Sequence, residues 1–253
     1  MPFTFSHLAA VLPLLRRHSG RWSSTSLIAG SVAPDFEKFL RLGAHDGFSH
    51  SWASLLYFSC PMALALAFGF HGLVRNAFIM HLPRTLHRRL GHYQHFGWAS
   101  YFRRHPGRVL LSVLLGATTH LVWDSFVHRQ GIMVVHWPAL RALWHVGRVY
   151  APAFVVVNAL SSVLGAGLVL LALLRLPAVD HPRPPASARA LFWLLACLAG
   201  LALVMGRFWL AQYPLADLDV IITVVAGGLV GLSAASVFFY LLADWQQPVP
   251  PRS

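Results

Sequence analysis

Five stretches of the sequence run long and apolar: Trp52 to Phe70, Val109 to about His128, Val149 to Leu174, Ala190 to Gly206, and Val220 to Ala243. A helix needs about 20 mostly apolar residues to cross a bilayer core. The first, third and fifth stretches carry no charge, and the fourth holds 17 uncharged residues before Arg207 and is marginal. No other feature narrows the fold so far, because lipid offers no partner to an unpaired backbone amide and admits only helices or closed barrels. Composition agrees. Of 253 residues 57% are hydrophobic and 11% charged, against about 25% charged in a soluble domain. We expect an all-α, polytopic helical membrane protein of about five transmembrane helices, and exclude disordered, collagen-like and coiled-coil classes. Residues 1–253 read as one integral membrane domain: 1–51 in front, 52–174 with three spans, a proline-rich linker over 175–190, and two spans over 190–245.

Two shorter helices are expected before the first span, Phe5 to Arg16 and Pro34 to Arg41, the latter opening at a proline suited to a first helical turn. Both are too short to cross and would lie at the interface or dock as re-entrant pieces. Ser161 with Gly165 and Gly227 with Gly231 stand four apart and would let the third and fifth spans approach neighbours closely.

The charge is basic: 20 Lys and Arg against 8 Asp and Glu, with 15 His. The arginines cluster between spans. Those of the 75 to 108 loop, interleaved with His81, His87, His92, His95 and His105, suit anionic lipid headgroups; no nucleic-acid motif accompanies them. His136 and His145, beside Trp137 and Trp144, suit an interfacial aromatic belt. Cys60 and Cys197 both lie in apolar runs, and no disulfide is expected. The N-terminus has no basic residue ahead of its short apolar core, so no cleavable signal peptide is expected. The basic residues between spans divide 9 to 11 across the two membrane faces, too even a split to fix orientation. The seven arginines of the 75 to 108 loop, if cytoplasmic, would put the front segment on the periplasmic face of a bacterial inner membrane.

The second span is the exception among the five. His120, Asp124 and His128 recur at four-residue spacing and form one polar stripe on an apolar rod. An ionised Asp at a helix centre costs about 2.5–3.5 kcal/mol on insertion scales, so the stripe should face protein. At ~1.5 Å per residue Asp124 lies about 24 Å beyond Arg108, near the far end of the span. Topology returns that end to the face where the first span starts. There the chain also carries His7, the Asp35 and Glu37 pair, His45 and His50.

Imidazole and carboxylate together are ligands for divalent metals, and a mixed set suits zinc, with manganese as the alternative. A bound metal would neutralise Asp35 and Asp124 and acidify a coordinated water, leaving Glu37, or whichever carboxylate is not a ligand, to act as base. Each feature has a plainer reading. The stripe alone would serve as hydrogen-bonded glue between helices; Asp35 and Glu37 alone would complement a helix dipole; His7 alone would be a residue near a cap.

The blocks Pro-Phe-Thr-Phe-Ser-His7, Leu27-Ile-Ala-Gly-Ser-Val-Ala-Pro-Asp35-Phe-Glu37, Phe48-Ser-His50-Ser and Thr119-His120-Leu-Val-Trp-Asp124-Ser-Phe-Val-His128 resemble the bacterial membrane family of domain of unknown function 4184, over most of the chain. More distantly the chain is similar to the inner-membrane metal-dependent hydrolases. That resemblance implies a site at His7, Asp35, Glu37, His45, His50, His120 and Asp124. Lys38 stands where the distant family has His, Glu37 replaces Asp, and Asp46 replaces Arg. The expectation is a metal-dependent hydrolase in which His7, Asp35, His45, His50, His120, Asp124 and His128 are metal ligands and Glu37 and Asp35 catalytic. Its substrate would be an ester or phosphoester of a lipid or lipid-linked molecule. A non-catalytic assembly protein and a transporter are the alternatives.

Overall fold

A computed structural model of the chain describes residues 3–17, 20–44 and 47–243. Five helices are long and apolar enough to cross a membrane: Leu55–His81, Pro106–His136, Ala153–Leu174, Ala186–Leu210 and Asp217–Leu242. The protein is all-α and multi-pass. The second span is an unbroken helix over Pro106–Val127, followed after a turn by the short helix Ile132–His136. Ahead of the spans lie a 3-10 turn Thr4–His7, α1 (Leu8–Arg17), α2 (Ser24–Val32), a second 3-10 turn Ala33–Asp35, and α3 (Phe36–Arg41).

Several boundaries differ from the sequence expectation, each for a local reason. The first span runs on past Phe70 to His81, because Arg75 is accommodated: it is 6% exposed, and its guanidinium donates to Asn76 Oδ1 and the Phe96 carbonyl. The third span starts at Ala153, not Val149. Residues Val149–Pro152 form β2, paired antiparallel with β1 (Leu143–Val146). The two-residue turn carries Gly147 at φ +64°, the left-handed conformation that such tight hairpins need, and Pro152 then caps the helix. The expected 75 to 108 loop is largely helical after the span ends, with helices at Arg84–Leu90 and Trp98–Arg104. His81 and His87, expected in a basic interfacial loop facing lipid headgroups, are buried.

The chain forms two compact units. One comprises 1–37, 46–67 and 99–175. In it α2 lies along the second span at backbone contact: a Cβ on Gly30 would overlap the Val113 carbonyl, and one on Gly116 the Leu27 carbonyl. Ser23 caps α2 by accepting from Ser26 N, and its own N–H donates to Ser112 Oγ of the span at 3.0 Å. The third span grips the N-terminal turn. Gly165 sits against Ser6 where a side chain would collide, Ser6 Oγ donates to the Ser162 carbonyl at 2.8 Å, and Phe3 N donates to Ser162 Oγ at 3.0 Å. Gly165 thus packs closely as expected, and the hydroxyl that serves this contact is that of Ser162.

The other unit comprises 38–45, 68–98 and 176–253. Its centre is the crossing of the fourth and fifth spans, where Gly200 meets Gly227 and Gly231 meets the Ala196 carbonyl. Phe192, Ala196 and Ala235 form the buried core, and the His81 ring stacks on Phe192 at 4.5 Å.

Candidate metal centre

Three separate segments of the first unit deliver four side chains to one point. Asp35 ends the 3-10 turn that follows α2, His50 sits in the turn ahead of the first span, and His120 and Asp124 lie one helical turn apart on the second span. One ligand atom from each of Asp35, His50, His120 and Asp124 lies within 4.8 Å of all the others. Asp35, His120 and Asp124 are buried, and the His50 side chain is 13% exposed.

His50 Nε2 stands 3.3 Å from Asp35 Oδ1 and 3.4 Å from Asp124 Oδ2; His120 Nε2 stands 3.7 Å and 3.3 Å from the same two oxygens. Two further imidazoles flank Asp124, His7 Nε2 at 3.5 Å from Oδ1 and His128 Nε2 at 3.2 Å from Oδ2. A charge-assisted N–H···O bond closes to about 2.7–2.9 Å, and all six of these contacts are longer. Ligands held about 2.0–2.2 Å from a tetrahedral ion stand about 3.3–3.6 Å from one another, the spacing seen here.

The groups behind the ligands fix which atoms face the centre. His120 Nδ1 lies 2.8 Å from the Ser31 carbonyl. A carbonyl only accepts, so Nδ1 carries the proton and, in the neutral ring, Nε2 turns a lone pair toward the two carboxylates. Among the described residues Nε2 has no hydrogen-bond partner, nor has either Asp124 oxygen. Lone pairs facing lone pairs in a buried site repel unless a cation lies between them. Thr4 Oγ1 donates to Asp35 Oδ2 at 2.7 Å, which leaves Oδ1 to the imidazoles. Ser49 Oγ pairs with His50 Nδ1 at 2.8 Å, leaving Nε2 to the centre. The donor set and its backing therefore fit a divalent cation with nitrogen and oxygen ligands.

His7 is 1% exposed and stacks on the His120 ring at 3.8 Å. Burial, with the neighbouring His120, holds its imidazole well below the usual range, at about 3, against the weaker pull of Asp124 and Asp35. It is neutral at ordinary pH, the form a metal requires.

Glu37 stands outside the four-ligand group. Its Oε2 accepts from Phe48 N at 3.1 Å and Ser49 N at 2.8 Å, so this carboxylate holds the turn that carries His50. His45 and Asp46 lie outside the described residues. Thr4, Ser49 and the Ser31 carbonyl are supports that the sequence pattern alone did not single out. Ser49 and Thr4 were within reach, one beside His50 and the other three residues before His7. The Ser31 carbonyl had no side-chain signal, although Gly30 and Gly116 mark the close crossing that delivers it.

The family model described as domain of unknown function (DUF4184) matches residues 1–237, nearly the whole length. The chain belongs to this DUF4184 family. The match spans all three segments that build the centre. Neither a curated protein nor a solved structure matches the chain.

Proposed function

We propose that this DUF4184 protein is a membrane-embedded, metal-dependent hydrolase acting on an ester or phosphoester of a lipid or lipid-linked substrate. One observation carries the reading: imidazole nitrogens and carboxylate oxygens of four residues from three segments converge at ligand spacing, with the other polar atoms of Asp35, His50 and His120 committed to fixed partners. Asp35, His50, His120 and Asp124 are the ligands, zinc the cation that suits them and manganese the alternative, and His7 completes the set beside Asp124. The cation supplies Lewis acidity, polarising the scissile group and acidifying a water at neutral pH.

The chain's own residues do the rest. Hydrolysis forms a bond from the oxygen of water to the acyl carbon or phosphorus, breaks the ester bond, and passes one proton to the departing alcohol. With Asp35 and Asp124 engaged as ligands and Glu37 holding the His50 turn, proton transfer falls to His128. It follows the last residue of the helix Pro106–Val127, its side chain is 20% exposed, and it is the imidazole of the cluster most open to an incoming molecule. His7, Asp35 and His120 are 1%, 0% and 0% exposed, so His128 is on the more open side of the cluster. A transporter would extend its polar path across the bilayer; here the third span has no ionisable residue. The likeness to bacterial membrane proteins and the arginines of 84–108 support a bacterial inner-membrane location with anionic headgroups as neighbours.

The test is elemental analysis of purified protein, stripped and reloaded, alongside turnover of a panel of amphiphilic esters and phosphoesters. Near-stoichiometric metal and metal-dependent turnover, both lost in His120→Ala and Asp124→Ala, are expected; unchanged metal content in both variants would end the proposal.

A further inference from the structure

One residue beyond His128 the chain enters a cavity of about 350 Å³ lined by Arg129, Val134, Arg141, Pro152 and Phe154. Cavities from about 300 Å³ upward are the size that holds small ligands. Its construction is local. Gly131, whose Cβ would overlap the Ser125 carbonyl, lets the chain fold back on the end of the second span, and Val134, fully buried, anchors the short helix that follows. Arg141 comes from the 3-10 turn Pro138–Arg141, and Pro152 and Phe154 from the start of the third span.

The cavity is open to the surface, both its arginines are exposed, and no carboxylate accompanies them. No Asp or Glu occurs between Asp124 and Asp180. Within this unit the described carboxylates are Asp35, Glu37 and Asp124, the first and last at the metal centre and Glu37 on the amides of Phe48 and Ser49. Among the described residues neither Arg129 nor Arg141 has an ion-pair or hydrogen-bond partner. Two guanidinium groups, each offering a planar fork of donors matched to phosphate oxygens, therefore share a cavity whose other walls are apolar. On the same connection between the second and third spans Trp137, Trp144 and Tyr150 are 54%, 47% and 71% exposed, an aromatic set of the kind that sits at headgroup depth.

We infer that this cavity binds the phosphate group of an amphiphilic phosphoester, with Arg129 and Arg141 on the phosphate oxygens and Val134, Pro152 and Phe154 against the adjoining apolar chain. The inference rests on the hydrolase reading and names its substrate class: a phosphate-bearing lipid, held at a cavity whose Arg129 directly follows His128 in the chain, in preference to an uncharged ester.

Binding is measured without turnover, on metal-loaded protein in neutral detergent, with dodecyl phosphate as one probe and inorganic phosphate as the other. The variants are R129Q/R141Q, the charge-preserving R129K/R141K, and R21Q/R175Q, which removes the same charge elsewhere in the same unit at two exposed arginines. The expected result is saturable binding of dodecyl phosphate that weakens at least tenfold in R129Q/R141Q, is partly retained in R129K/R141K, and is unchanged in R21Q/R175Q, with metal content constant throughout. Equal affinity for inorganic phosphate with the same variant pattern keeps the phosphate site and assigns it a soluble source. No saturable binding, or equal losses in R129Q/R141Q and R21Q/R175Q, overturns the inference. If R129Q/R141Q fails to fold, loss of binding in R21Q/R175Q equal to that in R129K/R141K overturns it too. Phosphate binding without any metal-dependent turnover would leave this site standing and remove the hydrolase, while turnover of uncharged esters with no phosphate binding would do the reverse.

Discussion

Where α2 crosses the second span, Gly30 and Gly116 bring two backbones into contact; where the fourth span crosses the fifth, Gly200, Gly227 and Gly231 do the same. In lipid, apolar side chains gain little by meeting one another, and small residues that admit close packing are a general route to helix association. The two crossings differ in what lies one turn away. Beside Gly116 stand His120 and Asp124, and beside Gly30 stands the Ser31 carbonyl that orients His120; beside Gly231 stand Ala235 and the apolar core. One contact sets the tautomer of His120, and the other holds helices together. Close approach of backbones is a structural device, and it acquires chemistry only from the residues spaced around it.

The largest effect should come from the ligands themselves. Asp124→Ala or His120→Ala is expected to bring metal content, read by elemental analysis, from near one per chain to background. The glycines test the comparison directly. Gly116→Ala and Gly200→Ala each force two backbones apart, and overpacking of this kind costs about 1–3 kcal/mol. Thermal melts in detergent should show both losses, but only Gly116→Ala should weaken metal affinity; an equal loss of metal in Gly200→Ala would erase the distinction. Thr4→Val and Ser49→Ala should weaken metal affinity about 10–100-fold, as is usual when a group behind a ligand is removed, with little change in folding.

Glu37→Gln separates holding from proton transfer. The carboxamide oxygen still accepts from Phe48 and Ser49, so turnover should stay within a factor of a few, and Glu37→Ala should do worse by releasing the His50 turn. Abolished turnover in Glu37→Gln with full metal content would return the base to Glu37. The smallest effect belongs to the lipid face: Val163→Ala on the third span, 72% exposed in the protein, should alter stability by less than about 0.5 kcal/mol.

How much of this is legible in sequence depends on whether a residue acts through its own side chain. His120, Asp124 and His128 declare themselves, because lipid penalises ionisable groups at four-residue spacing in an apolar run unless they turn toward protein. His7, Asp35 and His50 are visible as polar groups that topology returns to the same face. The Ser31 carbonyl leaves no trace, since any residue has one. The helix α2, Ser-Thr-Ser-Leu-Ile-Ala-Gly-Ser-Val, is also hard to read: its hydroxyls are mixed with small and apolar residues and six of its nine positions are buried, Ser26 and Ser31 among them, so no clean amphipathic period marks it. The β-hairpin is masked for another reason. Its strands are rich in Val, Trp and Tyr, the residues that an interfacial belt and the start of a span also favour.

The N-terminal turn that presents His7 is fastened by Ser6 to the Ser162 carbonyl, 156 positions later in the chain. During synthesis the turn is made long before its clasp exists. The turn consequently has no anchor of this kind until the third span has been made. On the metal-dependent reading proposed above, ion capture would be ordered after that step, and a ribosome-bound fragment ending before the span would carry the histidine without this means to keep it in place.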